Sequence, residues 1–73
     1  MNLEDTAAAS VMKWMMRHHN TCEGKTCFIR ERAYYELVDK ETDAVLVSHK
    51  STTPIARGFV EREGAAETLA MLR

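Results

Sequence analysis

The sequence predicts an α+β protein in which an N-terminal helix, a three-stranded antiparallel sheet and a C-terminal helix follow one another. Three observations predict this class. Apolar residues recur at helical spacing in the first quarter of the chain, aromatic and β-branched residues crowd the middle, and an Ala-rich amphipathic stretch closes it. At 73 residues the chain has room for a single domain, residues 1–73.

Residues 3–19 are predicted to form the first helix, with Asn2 as its N-cap. Apolar side chains repeat at four-residue spacing in two neighbouring rows: Leu3, Ala7, Val11 and Met15, then Ala8, Met12 and Met16. Trp14 widens this face further. The face is broader than one thin sheet can cover, so we expect part of it to contact a partner.

The middle of the chain is predicted to be a β-hairpin that follows a break at residues 20–26. Residues 28–39 and 43–50 are the two strands, and the polar residues between them are the turn. Alternation predicts that Tyr35, Leu37, Val45 and Val47 share one side of the sheet. The tail then predicts a third strand at Ile55–Phe59 and a closing helix at Val60–Leu72, with Gly64 inside that helix.

Composition limits the possible functions. Ten basic and eleven acidic residues leave a net charge of −1, whereas nucleic-acid-binding domains usually carry a basic excess. No apolar run approaches the ~20 residues of a membrane span, and Met1–Ala9 lacks the features of a signal peptide. Five methionines and two cysteines suit a reducing cytoplasm, where we expect the protein to act.

The residues offer weak candidates for metal binding and catalysis. His18, Cys22 and Cys27 could supply zinc ligands. The alternatives are cysteines that pack as small apolar groups, which is favoured over zinc, and a disulfide, which a reducing cell disfavours. Ser48 and His49 are neighbours on a predicted strand and therefore face opposite sides of the sheet, which excludes a nucleophile–base pair. The expectation is a protein without a cofactor and without enzymatic activity.

A basic and aromatic face on the sheet suggests nucleic-acid binding as an alternative function. Arg30, Arg32 and Tyr34 are expected on one face of the first strand, and Lys50 and Arg57 could extend that face across the sheet. Such a surface could lie in a groove or stack on bases.

Residues 33–43 (AYYELVDKETD) and 56–66 (ARGFVEREGAA) resemble the three-strand-plus-helix unit of phage integrase arm-binding domains. In that family a strand ends in Gly-Phe and a short polar turn begins an Ala-rich helix. The resemblance covers residues 33–66 and implies DNA binding, although Glu61 and Glu63 stand where the family favours lysines. The order α-β-β-β-α is also similar to that of double-stranded-RNA-binding domains, without the lysine pair expected at the start of the last helix.

The favoured interpretation is a small protein-binding module that docks on a macromolecular partner. Met12, Trp14, Met16 and His19 are the predicted interface with a protein partner or a second copy, because methionine and tryptophan are frequent at such surfaces. A homodimer is expected, since a chain this short buries little core alone. By type, the chain is similar to phage accessory proteins that inhibit a host system, such as anti-CRISPR proteins.

Overall fold

The computed structural model describes residues 2–72. Its elements in chain order are helix α1 (Leu3–Arg17), strands β1 (Thr21–Glu23), β2 (Thr26–Arg30), β3 (Tyr35–Asp39) and β4 (Val45–His49), and helices α2 (Thr52–Glu63) and α3 (Ala65–Met71). The strands form one antiparallel sheet in the order β1-β2-β3-β4. The predicted α+β class is confirmed. The predicted three strands and single closing helix are wrong, because the described residues form four strands and two closing helices.

Helix α1 is close to its prediction. The N–H of Asp5 donates to the Asn2 side chain at 2.8 Å, which confirms the predicted N-cap. The helix ends at Arg17, two residues earlier than expected, with His18 as its C-cap. Asn20 has a positive φ of 57°, and the chain there turns directly into β1.

The predicted break at residues 20–26 is instead a tight hairpin. Strands β1 and β2 pair so that Cys22 lies directly opposite Cys27, and Gly24 takes a positive φ of 62° in the two-residue turn. The predicted strand at residues 28–39 is divided into β2 and β3, because the chain reverses at Glu31–Tyr34.

The predicted third strand at Ile55–Phe59 is wrong, because these residues lie inside α2. Ser51 is the N-cap and Pro54 occupies the first turn, where a missing N–H removes no helical hydrogen bond. Ile55, Ala56, Phe59 and Val60 are buried, which is the spacing of one helix face. Gly64, with a φ of 94°, separates α2 from α3 rather than lying inside one helix.

The helices cover one face of the sheet, and the core lies between them. Phe28 and Leu37 on the sheet meet Val11 and Met15 of α1 and Phe59 of α2 in one buried cluster. Leu37 and Val47 share the core side as predicted and pair with each other, but a register shift next to this pair makes Val45 the partner of Val38. Val45 is therefore exposed rather than on the core side, and the opposite face of the sheet carries only exposed and half-buried side chains.

Candidate functional site

The topology brings basic residues from four segments to one end of the sheet. The end of α1, the β2–β3 loop, the end of β4 and the start of α2 all lie there, because β2 and β4 run towards this end and β1 and β3 run away from it. We call this region the basic end, and it comprises Arg17, Arg30, Arg32 and Lys50 with His18, His19 and His49. Glu31, in the β2–β3 loop, is an acidic residue within the basic end.

Arg30 is held in place by the segment that links α1 to β1. Its N–H donates to the Asn20 side chain at 3.1 Å, and its guanidinium lies 3.5 Å from Nδ1 of His19. The His19 ring in turn packs edge-on against the buried Phe28 ring, with centroids 6.1 Å apart. These contacts link the exposed Arg30 to the α1–β1 segment and, through His19, to the core.

The β2–β3 loop presents a second cation beside an aromatic ring. The Glu31 N–H donates to the Tyr34 carbonyl at 2.9 Å, which closes the loop and leaves Arg32 exposed at its tip. Tyr34 is 39% exposed, whereas the next residue, Tyr35, stacks on Phe28 with centroids 5.5 Å apart. Tyr34 is thus partly exposed in the same loop as the Arg32 cation.

The end of β4 completes the basic end. Tyr35 pairs with His49 across the sheet, and Nδ1 of His49 accepts a hydrogen bond from the Ser51 N–H at 2.9 Å. Lys50 lies between His49 and Ser51 in the chain and is exposed. Helix α2 begins immediately afterwards without an acidic residue in its first turn, so the positive end of its dipole also points to this end.

The charge of the basic end is not neutralised within the fold. Across residues 2–72 the ion pairs are Arg57 with Asp5, at 3.0 Å, and Arg62 with Asp39. Neither involves Arg17, Arg30, Arg32 or Lys50. These cations are therefore available to an external anion.

The opposite end of the sheet is acidic, and we call it the acidic end. Its turns and the end of α2 carry Glu23, Asp39, Glu41, Asp43, Glu61 and Glu63, with Lys25, Lys40 and Arg62 among them. Glu63 accepts hydrogen bonds from the Lys25 N–H at 2.8 Å and the Thr26 hydroxyl at 3.4 Å, which ties α2 to the β1–β2 turn. The molecule is thus electrically polarised along the strand direction.

Asp39 is the anchor of the acidic end. Its Oδ1 accepts from the N–H groups of Thr42 and Glu41 at 3.0 and 2.9 Å, and its Oδ2 accepts from Arg62. The Thr42 N–H above all, together with the Glu41 N–H and the Arg62 charge, lowers the pKa of Asp39 below its usual 3.8, although burial acts in the opposite direction.

The residues predicted for nucleic-acid contact do not form one face of the sheet, and most of them belong to the basic end instead. Arg30, Arg32, Tyr34 and Lys50 lie at the same end of the sheet rather than on one face of it. Arg57 does not join them, because it lies on α2 and pairs with Asp5 of α1. The basic end also includes Arg17 and His49, which the sequence did not connect with the others since only the topology places them at the same end of the sheet.

The predicted α1 interface is divided between two flanks of the helix. At 100° per residue, Trp14 lies roughly 160–200° from Met16 and Met12. Trp14 packs against His18 and Phe59, with centroids 5.5 and 6.4 Å away. Met12 contacts the Thr53 hydroxyl and packs against the core. Met16 is 68% exposed, and His19 is engaged with Arg30 and Phe28.

The two cysteines form a disulfide between β1 and β2. Their sulfurs are bonded to each other, so neither is a thiolate that could join His18 in the predicted zinc set. Within residues 2–72 there is also no group of three or more His, Cys, Asp or Glu side chains arranged to hold a metal ion.

Comparisons with protein-family models, with curated proteins and with solved structures find no match to this chain. The resemblance of residues 33–66 to integrase arm-binding domains therefore stays a prediction, and the strand that it placed at Gly58-Phe59 is helical. None of the helices in the described part of the chain has the length and apolar character needed to cross a bilayer.

Proposed function

We propose that this protein binds the phosphate backbone of a nucleic acid through its basic end. The observation that carries the proposal is the clustering of Arg17, Arg30, Arg32 and Lys50 at one end, without a carboxylate paired to any of them within residues 2–72. Surface cations that face a polyanion release its condensed counterions, and this release drives binding without base readout.

The polarity of the molecule supports this function despite the net charge of −1. The net charge of the whole chain averages over the basic end and the acidic end. A bound polyanion interacts mainly with the end that is nearer to it, because salt screens charges beyond about 8–10 Å. The acidic end would be held away from the phosphates, so binding would have one orientation.

Tyr34 favours a single-stranded or unpaired segment as the ligand. Its exposed ring lies in the same loop as Arg32, so an unstacked base could pack on the ring while the guanidinium contacts a neighbouring phosphate. Base stacking on aromatic rings tolerates all four bases. We therefore expect weak sequence preference.

Fluorescence anisotropy with labelled single-stranded and duplex oligonucleotides between 20 and 300 mM NaCl tests the proposal. Four phosphate contacts predict a slope of log K against log[salt] of about −2.8 for a single strand and about −3.6 for a duplex. Arg32→Gln should make the slope shallower by about 0.7 on a single strand. Tyr34→Ala should weaken single-strand binding about 5- to 150-fold and leave the slope unchanged, since stacking contributes ~1–3 kcal/mol per base.

Lys40→Gln is the matched control, because Lys40 is an exposed cation at the acidic end. It removes the same charge from the chain and should leave both affinity and slope unchanged. An equal loss from Lys40→Gln and Arg32→Gln would show that only net charge matters and would reject the basic end as the site. The absence of binding at 20 mM NaCl would reject the function itself.

Docking on a protein partner through α1 is a second candidate, favoured by the exposure of Met16. Leu3, at the other end of the helix, is also exposed. A partner that covers Met16 should be retained from a host extract by the wild-type protein and lost with Met16→Glu, while Arg32→Gln retains it. The role as a phage-type inhibitor of a host system stays a prediction, because it follows from the type of chain rather than from a contact.

A further inference from the structure

Strand β4 is an edge of the sheet that carries little protection. It pairs with β3 alone, so its outer N–H and C=O groups have no strand partner. No lysine, proline or acidic residue interrupts Val45–His49. Val45 and Leu46 are 53% and 38% exposed. The register shift opposite Leu37 and Val38 disturbs only the start of the strand, and regular pairing continues from Val47 to His49.

We propose that a second copy of this chain pairs with β4, antiparallel and related by a two-fold axis near Val47. The sheet would then continue from one protomer into the other. Two-fold symmetric pairing buries the same edge on both copies and leaves no free β4 edge for further growth. This surface is distinct from α1, where the sequence predicted the dimer contact.

Charge complementarity identifies a second copy as the occupant. Because each protomer is basic at one end of its strands and acidic at the other, antiparallel pairing places the basic end of one copy beside the acidic end of its partner. In a register centred on Val47, Lys50 lies opposite Ala44 and beside Asp43 of the other copy. Parallel pairing would bring like charges together and is therefore disfavoured.

Pairing with a second copy would also cover the apolar side chains of Val45 and Leu46, which are exposed in one protomer. In the same register Leu46 lies opposite Ser48, and Val45 lies opposite His49 of the other copy. The exposed Val45 and Leu46 would thus be covered by the partner strand. Lys50 belongs to both the dimer edge and the basic end, whereas Leu46 belongs only to the dimer edge. A substitution at Leu46 therefore tests dimerisation without changing the proposed nucleic-acid site.

Sedimentation equilibrium between 5 and 500 μM tests the dimer against the 8.3 kDa mass of one chain. The wild-type protein should dimerise, more weakly at 1 M than at 0.05 M NaCl because of the paired charges. Leu46→Lys should raise the dissociation constant at least tenfold. The matched control is Leu3→Lys, which places the same charge at an exposed leucine of α1 and should leave the dimer intact.

Amide hydrogen exchange supplies a second measurement that does not depend on a variant. Protection of the β4 amides that point away from β3 should rise with protein concentration, while protection in α1 should not. A monomer up to 500 μM, or equal effects of Leu46→Lys and Leu3→Lys in variants that both stay folded by circular dichroism, would overturn the proposal. A dimer that Met16→Glu dissociates and Leu46→Lys does not would place the interface on α1 instead.

Discussion

The packing of α2 on the sheet can be tested at Gly58. This glycine faces β3 and β4, and a Cβ added to it would stand 2.7 Å from Cγ2 of Val47 and 3.3 Å from Cδ2 of Leu37. Valine has stiff rotamers, so the methyl at 2.7 Å cannot rotate away at low cost. The perturbation is Gly58→Ala, alone and in a Val47→Ala background.

Two opposing contributions set the magnitude. Replacing glycine by alanine inside a helix stabilises it by about 1 kcal/mol. Overpacking in a filled core destabilises by about 1–3 kcal/mol. The free energy of unfolding should therefore fall by roughly 1 kcal/mol, which lowers Tm by about 4–8 °C in a domain of this size. Val47→Ala removes the clashing methyl, and in that background Gly58→Ala should stabilise instead.

Urea denaturation of the four proteins, followed by circular dichroism, measures the coupling between the two sites. We expect a coupling free energy of about 1–3 kcal/mol, with opposite signs for Gly58→Ala in the two backgrounds. If Gly58→Ala raised the stability of the wild-type protein, or changed both backgrounds equally, Gly58 would not lie against Val47. The placement of residues 52–63 as a helix on the sheet would then be wrong.

Two further predictions concern the disulfide and Asp39. Replacing both Cys22 and Cys27 by serine opens a crosslink with a sequence separation of 5, and loop-closure entropy predicts a loss of about 2 kcal/mol in the free energy of unfolding. Thermal melts of oxidised wild type, reduced wild type and variant check this: reduced wild type should match the variant, and three equal Tm values would contradict the bond. The lowered pKa of Asp39 means that its carboxylate stabilises the fold above the usual pKa of 3.8 that it has in the unfolded chain. This contribution is lost as pH falls through the lower folded pKa. Asp39→Asn should be less stable than wild type at pH 7 and lose less stability between pH 5 and 2; parallel curves of Tm against pH would refute this.

Local signals were reliable where one element had one clear pattern. The amphipathic repeat and Asn2 predicted α1 closely, and the polar residues between Asp39 and Asp43 predicted the β3–β4 hairpin. The prediction of a strand in the α2 segment failed, because Ser51–Pro54 has the composition of a loop. The five residues Ile55–Phe59, of which four are apolar or small, suit a short strand as well as one and a half helical turns.

The tertiary structure decided the features that depend on pairing. The sequence shows basic and acidic stretches along the chain, but whether Arg17, Arg32 and Lys50 lie at the same end of the sheet depends on which strand runs in which direction. Long-range packing settles that. The register shift that exposes Val45 depends on how β3 and β4 align, and periodicity within one strand carries no information about it.

From its sequence alone this protein could be assigned an α+β class, a capped first helix and a central hairpin, because these follow from neighbours within a few residues of each other. The polarised arrangement of charge, the position of α2 on the sheet and the free edge of β4 required the folded chain. Each of them is a relation between separate elements of secondary structure, which local propensity does not encode.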